Sequence, residues 1–320
     1  MQTTPTDNTT PLISFIVTCY DIPADMLKAC ISSLCRLTLT DAEREIIVVD
    51  DGSAIPAIND IKEFMPGIIY LWQSNRGLSC ARNIGLQVAT GRFIQFVDGD
   101  DGLIQNTYMH CLDIVRYHQP DVVLFGQTSS PKASISYKFD GPMTGAAYMH
   151  NHNLCGSAWG YIFRRQLLGD LRFKPGILHE DEDFTPRLLL RADHLYATKV
   201  KAYFYRKREK SIMHNQDPDF TDRRMGDALQ VILGLKELAQ QLPEDERVAL
   251  NRRVAQLTMD HIYNTIRLTH SGQRLDDTLK TLSTHGLFPL PDKGYTRKYR
   301  LFRRLTQSAI GRHLLLICIK

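Results

Sequence analysis

Three clusters of acidic side chains stand out in the 320 residues: Asp50 with Asp51, then Asp98, Asp100 and Asp101, and finally the run from Glu180 to Asp183. The middle cluster ends the stretch FIQFVDGDDG (93 to 102), whose Phe93, Ile94, Phe96 and Val97 read as a strand covered on both faces, because the apolar residues scarcely alternate and most are aromatic or β-branched. Carboxylates crowded in this way repel one another unless a cation or hydrogen-bond donors compensate them. A solvated Asp/Gly turn is the plainer account of the same residues. The acids of HEDEDF (179 to 184) also admit a plain account, as complements to the dipole at a helix N-terminus.

The elements that position these acids decide between chemistry and turn. ISFIVTCY (13 to 20) predicts a strand and PADMLKACISSLCRL (23 to 37) a helix, with Met26, Leu27, Cys30, Ile31 and Leu34 at helical spacing. EIIVVDDGS (45 to 53) predicts a second strand, AINDIKEF (57 to 64) a helix, IIYLWQ (68 to 73) a third strand, LSCARNIGLQVA (78 to 89) a helix, and DVVLFG (121 to 126) a strand beyond the one at 93. This alternation predicts an α/β fold with a mostly parallel sheet and helices on both faces, in which ligands bind beyond the carboxyl ends of the strands. Asp50 and Asp51 close one strand and Asp98 to Asp101 another, which favours chemistry over turn. Periodicity weakens from about residue 131, and long amphipathic helices begin near Thr221. The expected organisation is a disordered tail over 1–11, a catalytic domain over 12–215 and a helical extension over 216–320.

Composition narrows the class. An apolar content of 43% and a charged content of 23% are those of a globular chain. A net charge of +4, without zinc-finger spacing or an RNA-binding aromatic signature, argues against nucleic acid as a partner. Seven cysteines, an odd number with no C-x-x-C pair, predict reduced thiols in a cytosol. With no signal-like or spanning apolar run, the expectation is a chain neither secreted nor membrane-spanning. Residues 293 to 320 carry eight Lys and Arg and no acid. As one helix they would place Tyr295, Tyr299, Phe302, Leu305, Ala309 and Leu316 near one side, so a basic amphipathic helix on an anionic membrane surface is expected, peripheral on its cytoplasmic face. Packing on the catalytic domain or an oligomer contact is the alternative, and self-association is left open.

The series VTCY (17 to 20), VVDDGS (48 to 53), N-x-G-L-S-C-A-R-N-x-G (75 to 85), FVDGDD (96 to 101), WGYIFRR (159 to 165), HEDEDF (179 to 184) and YRKREKSIMH (205 to 214) resembles, in order, the family 2 glycosyltransferases of the GT-A fold. Each piece alone is common; the ordered series is specific, and it spans about Ile13 to His214. The resemblance implies an inverting transfer of sugar from a nucleoside-diphosphate sugar, uridine being the commonest nucleoside, to a hydroxyl of a glycan or lipid-linked glycan acceptor in cell-surface polysaccharide synthesis. It implies donor binding by Thr18, Tyr20, Asp50, Asp51, Asn75, Arg82, Asp98, Arg206 and Arg208, with Asp51 at the base and Asp50 as the member of its pair that ties down the turn. FVDGDD corresponds to the family's Asp-x-Asp motif, which implies Mn²⁺ or Mg²⁺ held by Asp100, with Asp98 and Asp101 as ligands or beside them and His214 as a further ligand; oxygen ligands suit either ion. Asp181 is the implied catalytic base, with Glu180 orienting it or touching the acceptor, and Trp159 is a candidate platform for the acceptor sugar. Asp21 stands where the family usually has Asn, a departure expected to matter little.

Two other Asp-rich motifs fit less well. A calcium loop of EF-hand type would need an acid where Met109 stands, and a haloacid-dehalogenase-like phosphatase would need Thr or Val where Gly102 stands. A sugar-1-phosphate nucleotidyltransferase lacks its Gly-rich basic loop after the first strand. A catalytically degenerate scaffold in polysaccharide assembly is the non-enzymatic alternative.

Overall fold

The computed structural model describes residues 10–130, 137–207 and 217–319, and the chain folds as two compact units. The first comprises a nine-stranded sheet with its flanking helices, drawn from residues up to 145 and from 155 onward to the 207 end of the described segment. Its first strand, β1 (Ile13–Cys19), is buried at every residue, as an unalternating ISFIVTC run requires when helices cover both faces. Helix α1 (Ala24–Cys35) follows, then β2 (Arg44–Asp50), β3 (Ile68–Trp72), α2 (Leu78–Val88) and β4 (Phe93–Asp98). The order β3-β2-β1-β4 is parallel throughout, so these strands present their carboxyl ends along one edge.

Beyond β4 the sheet is mixed. After the two-residue β5 (Gly102–Leu103) and α3 (Gln105–His118) come β6 (Val122–Thr128) and β7 (Phe139–Met143); then, past α4 (Gly145–Asn151), β8 (Tyr161–Arg164), α5 (Glu180–Leu189) and β9 (Leu195–Phe204). β8 runs antiparallel to both β4 and β6, while β9 is parallel to β6 and antiparallel to β5 and β7. The helix expected over 57–64 is instead two 3₁₀ stretches, Ala57–Asn59 and Lys62–Gly67. Pro56 and Pro66 bracket the segment and withhold two backbone donors, and the Ala57 N–H is drawn out to the Asp50 carboxylate (2.9 Å).

The second unit consists of residues 146–154 with the helices α6 (Pro218–Gln241), α7 (Glu244–Thr269), α8 (Gly272–Thr284), α9 (Arg297–Thr306) and α10 (Ala309–Cys318). Its core joins Val231, Ile232 and Leu235 of α6 to Leu250, Val254 and Ile266 of α7, all buried. The segment expected as one basic helix is two, broken at Gln307, because the Ser308 hydroxyl caps a new helix by accepting from Gly311 N (3.0 Å). That break alters the expected stripe. Tyr299 is buried with its hydroxyl donating to Pro291 O (3.0 Å), whereas Ala309 is exposed.

Candidate active site

Four strand ends are stitched together where the acids lie. The Asp51 N–H donates to Cys19 O (2.9 Å), Gln73 N–H to Asp50 O (3.0 Å), and Gly99 N–H to Thr18 O (2.9 Å), so the loops after β1, β2, β3 and β4 form one rim. The strand order turns back at β1, between β2 and β4, and such a switch opens a crevice. Thr18 is buried in it and the Tyr20 ring is half exposed at its edge.

Asp50 and Asp51 have divided their work. Both oxygens of the buried Asp50 are committed to the fold, accepting from Ser53 N and Ala57 N (2.9 Å each) and from the Tyr70 hydroxyl (2.6 Å). Those donors outweigh the cost of burial and hold its carboxyl below the usual range. Asp51 instead gathers the loop after β3: Oδ1 accepts from Gln73 Nε2 and from Arg76 N (3.0 Å), Oδ2 from Gly77 N (2.8 Å). Gly52, with φ of +82°, is required here because a Cβ would overlap the Asn75 backbone nitrogen. The Asn75 side chain is exposed at the rim. Asp21, which stands where the family usually has Asn, ties the first loop to the one after β2. Its φ of +45° is one that Asp tolerates, and its carboxylate accepts from Ala54 N (2.8 Å) while its N–H donates to Ser53 Oγ (2.9 Å).

The three aspartates after β4 face different surroundings. Asp98 Oδ1 accepts from Arg82 Nη2 (3.1 Å), and its N–H donates to the Tyr203 hydroxyl (3.0 Å). Asp101 is buried, accepts from Arg206 N (2.8 Å), and has its pKa pushed up to about 7, first by loss of water and then by the charges of Asp98 and Asp100. Asp100 is half-buried, and its carbonyl accepts from Arg206 Nε (2.9 Å). Arg206, just beyond the end of β9, therefore lies against the Asp turn. Arg208 and His214 fall outside the described residues.

Arg82, expected at the donor, is enclosed by protein side chains. It is only 3% exposed; Nη1 donates to Glu180 Oε1 (2.8 Å) and Nη2 to Asp98, while the rings of Phe173 and Phe96 lie 5.3 and 5.8 Å from its guanidinium carbon. It thus clamps the β4 turn to the first residue of α5. Asp98, Glu180 and Asp181 all raise its pKa, against the opposing pull of burial, so Asp181 shares this electrostatic neighbourhood. Half-buried Asp181 turns one oxygen, Oδ1, to Glu182 N (2.9 Å), and Asp183 is paired with Arg187 (2.9 Å). The helix begins abruptly because His179 takes a left-handed φ of +66°. Trp159 stacks on Tyr203 (4.4 Å between ring centres) against the core, with its carbonyl accepting from Gln95.

Sequence reasoning missed Tyr203, which reaches the turn from 105 residues away and lies two residues before the quoted motif at 205 to 214. It also missed Gln73. The divalent ion expected at the Asp turn fits the donors present. Among the described residues no three His, Cys, Asp or Glu side chains are grouped to hold a metal by themselves. Mg²⁺ sites, however, commonly use one or two carboxylates with the substrate's own phosphates. Burial first, and then the charges of Asp98 and Asp100, raise the pKa of Asp101, so these carboxylates act on one another at this turn.

Residues 14–169 match the model of the family described as "Glycosyl transferase family 2". The chain is 31% identical over 223 residues to "Glycosyltransferase GlyA" of Streptococcus pneumoniae, an alignment covering 62% of this chain and 31% of that protein, so it spans about a third of that relative's length. Among solved structures, S. aureus TarS in complex with UDP-GlcNAc superposes with a TM-score of 0.68 at 19% identity, covering 95% of this chain and 88% of that one. The mannosyltransferase PcManGT from Pyrobaculum calidifontis, in complex with GDP-Man and Mn²⁺, gives a TM-score of 0.57 at 13% identity over 98% and 89% of the two chains.

Proposed function

From a chain that carries a family 2 glycosyltransferase domain on a GT-A fold, we propose an inverting, metal-dependent glycosyltransferase that moves a sugar from a nucleoside-diphosphate sugar, with UDP as the nucleotide, to a hydroxyl of a glycan or lipid-linked glycan at a membrane surface. One observation carries the reading. Arg82 ties the carboxylate of Asp98, in the turn that would meet the diphosphate, to Glu180, whose neighbour Asp181 would meet the acceptor. Donor end and acceptor end are thereby built as one unit.

In this reading Asp51 and the loop it holds take the base, with the Tyr20 ring covering it. Asp100 and Asp98 hold the divalent ion, and Arg206 adds a positive charge beside the diphosphate. The ion, when bound, stabilises the charge that gathers on the departing diphosphate. Asp181 accepts the proton of the acceptor hydroxyl as that oxygen bonds to the anomeric carbon; the bond from that carbon to the diphosphate breaks on the opposite face, and its electron pair leaves with the nucleotide. Glu180, buried against Arg82, positions the start of α5 and so the base. UDP is favoured by the TarS complex, and a divalent ion by the Mn²⁺ bound in PcManGT.

The test is turnover of a panel of sugar nucleotides with and without Mn²⁺. Asp100→Ala should lose more than about a hundredfold, as removal of a metal ligand does. Asp181→Asn should lower kcat by roughly 10² to 10⁴ with donor affinity kept within a few-fold. Near wild-type turnover of Asp100→Ala in saturating Mn²⁺ would sink the metal assignment. A collapse of donor affinity in Asp181→Asn would move the base to Glu180 or Asp183.

A further inference from the structure

We propose that the helix pair α9–α10 is a docking surface for anionic lipid, and that it uses a different set of residues from the stripe a single helix would present. Ile310, Leu314 and Ile317 are 79%, 47% and 59% exposed, and their i, i+4, i+7 spacing puts them on one face of α10. On α9 Leu301 is 61% exposed and has the exposed cations Arg297, Lys298 and Arg304 at helical-neighbour spacing, with Arg300 exposed beside it. Large apolar side chains left in water at this density, rimmed by charge, mark an interaction site.

The inward side of the pair is fully used, which separates binding residues from structural ones. Arg303 donates to Leu290 O (3.0 Å) and pairs with Asp292, while Arg312 donates to Thr306 O (3.2 Å) and pairs with Asp276 (3.4 Å). A Cβ on Gly311 would overlap the Leu305 backbone, so only glycine allows α10 to start so close to the end of α9. The corner is therefore fixed by packing, and the outward residues are presented on a rigid element.

Charge identifies the occupant. Residues 293 to 319 contain no acid, so a second copy docking by a two-fold contact would bring the same cations face to face, a repulsive arrangement. An anionic bilayer interface offers both things this surface lacks, negative headgroups for Arg297, Lys298, Arg300 and Arg304 and an apolar boundary for Ile310, Leu314 and Ile317. Among the described residues no helix is long and apolar enough to cross a membrane, so the contact is with its surface.

The full chain is to be sedimented with vesicles of phosphatidylcholine alone or mixed with phosphatidylglycerol, at low and high salt. It should pellet with the mixed vesicles at low salt and be released by salt. Replacing Arg297, Lys298, Arg300 and Arg304 by Gln should weaken partition by roughly fivefold per cation. The triple change Ile310→Ser, Leu314→Ser, Ile317→Ser should weaken it by more than about tenfold, with circular dichroism and any sugar-nucleotide hydrolysis unchanged. Equal pelleting with neutral vesicles, no pelleting with the mixed ones, or variants that pellet like wild type would each overturn the proposal. So would light scattering that finds a dimer which the serine variant dissociates, because the face would then belong to a second copy.

Discussion

At the scale of single residues, Arg82 governs how the site is assembled. A guanidinium that is 3% exposed, bonded to two carboxylates and set beside two phenyl rings that meet edge to face, cannot lose one function without disturbing the other. Arg82→Met would strand Glu180 as a buried charge, and such losses cost about 3–5 kcal/mol. Arg82→Lys keeps the charge but not the fork that serves two acids in fixed directions. The expected outcome for the lysine variant is a kcat lowered at least tenfold, with a melting temperature closer to wild type than that of the methionine variant and with donor KM little changed. Equal losses of stability and kcat in both variants would reduce Arg82 to a structural residue. Asp101 supplies a second expectation. Its pKa is raised in the fold to about 7 from an ordinary carboxyl value, so the folded state holds a proton that the unfolded state has released. Stability from this group is present below about pH 4 and is lost as pH rises to about 7. Asp101→Asn should remove that slope from the pH dependence of thermal unfolding, and an unchanged slope would contradict it.

At the scale of elements, the parallel strands β1 to β4, the helices α1 and α2 and the acids at the strands' carboxyl ends were legible in the sequence, because buried runs such as ISFIVTC leave no other periodicity to read, whereas the helix expected over 57–64 was not there. The two-residue strand β5 and the edge strand β7 were not. β7 contains Gly141 and Pro142, has little burial, and owes its place to β9 more than to its own residues. The resemblance implied that Asp50 is the member of its pair that ties down the turn, and what the sequence did not show is how: through bonds from Ser53, Ala57 and Tyr70. Those bonds yield a prediction. Asp50→Ala leaves buried donors without an acceptor, each worth about 1–3 kcal/mol, so its thermal unfolding temperature should fall well below that of Asp51→Ala. The reverse order would assign the anchor to Asp51.

At the scale of the whole molecule, a formal net charge of +4 conceals two surfaces of opposite sign. The sheet unit gathers Asp51, Asp98, Asp100, Asp101 and Asp181 at one rim, where Arg82 is bonded to the Asp98 carboxylate and Arg206 Nε to the Asp100 carbonyl. The helical unit carries the basic stretch from 293 onward. Neither fact is visible in the sum: the basic half is one stretch of sequence, whereas the acids of the rim are brought together from segments far apart in the chain. A diphosphate is itself an anion, so an acidic rim should repel it unless a divalent ion arrives with it. Ligand that binds the folded state alone stabilises it by about 2.7 kcal/mol at a hundred times its Kd. For a unit of this size that is an upward shift of roughly 5–10 °C in Tm. UDP with Mn²⁺ should produce that shift in the full chain, UDP with a chelator should produce almost none, and Asp100→Ala should abolish the difference. Stabilisation by UDP of the same size in chelator and in Mn²⁺ would show that the rim takes the diphosphate without a metal, and would remove the reason proposed for the three aspartates after β4.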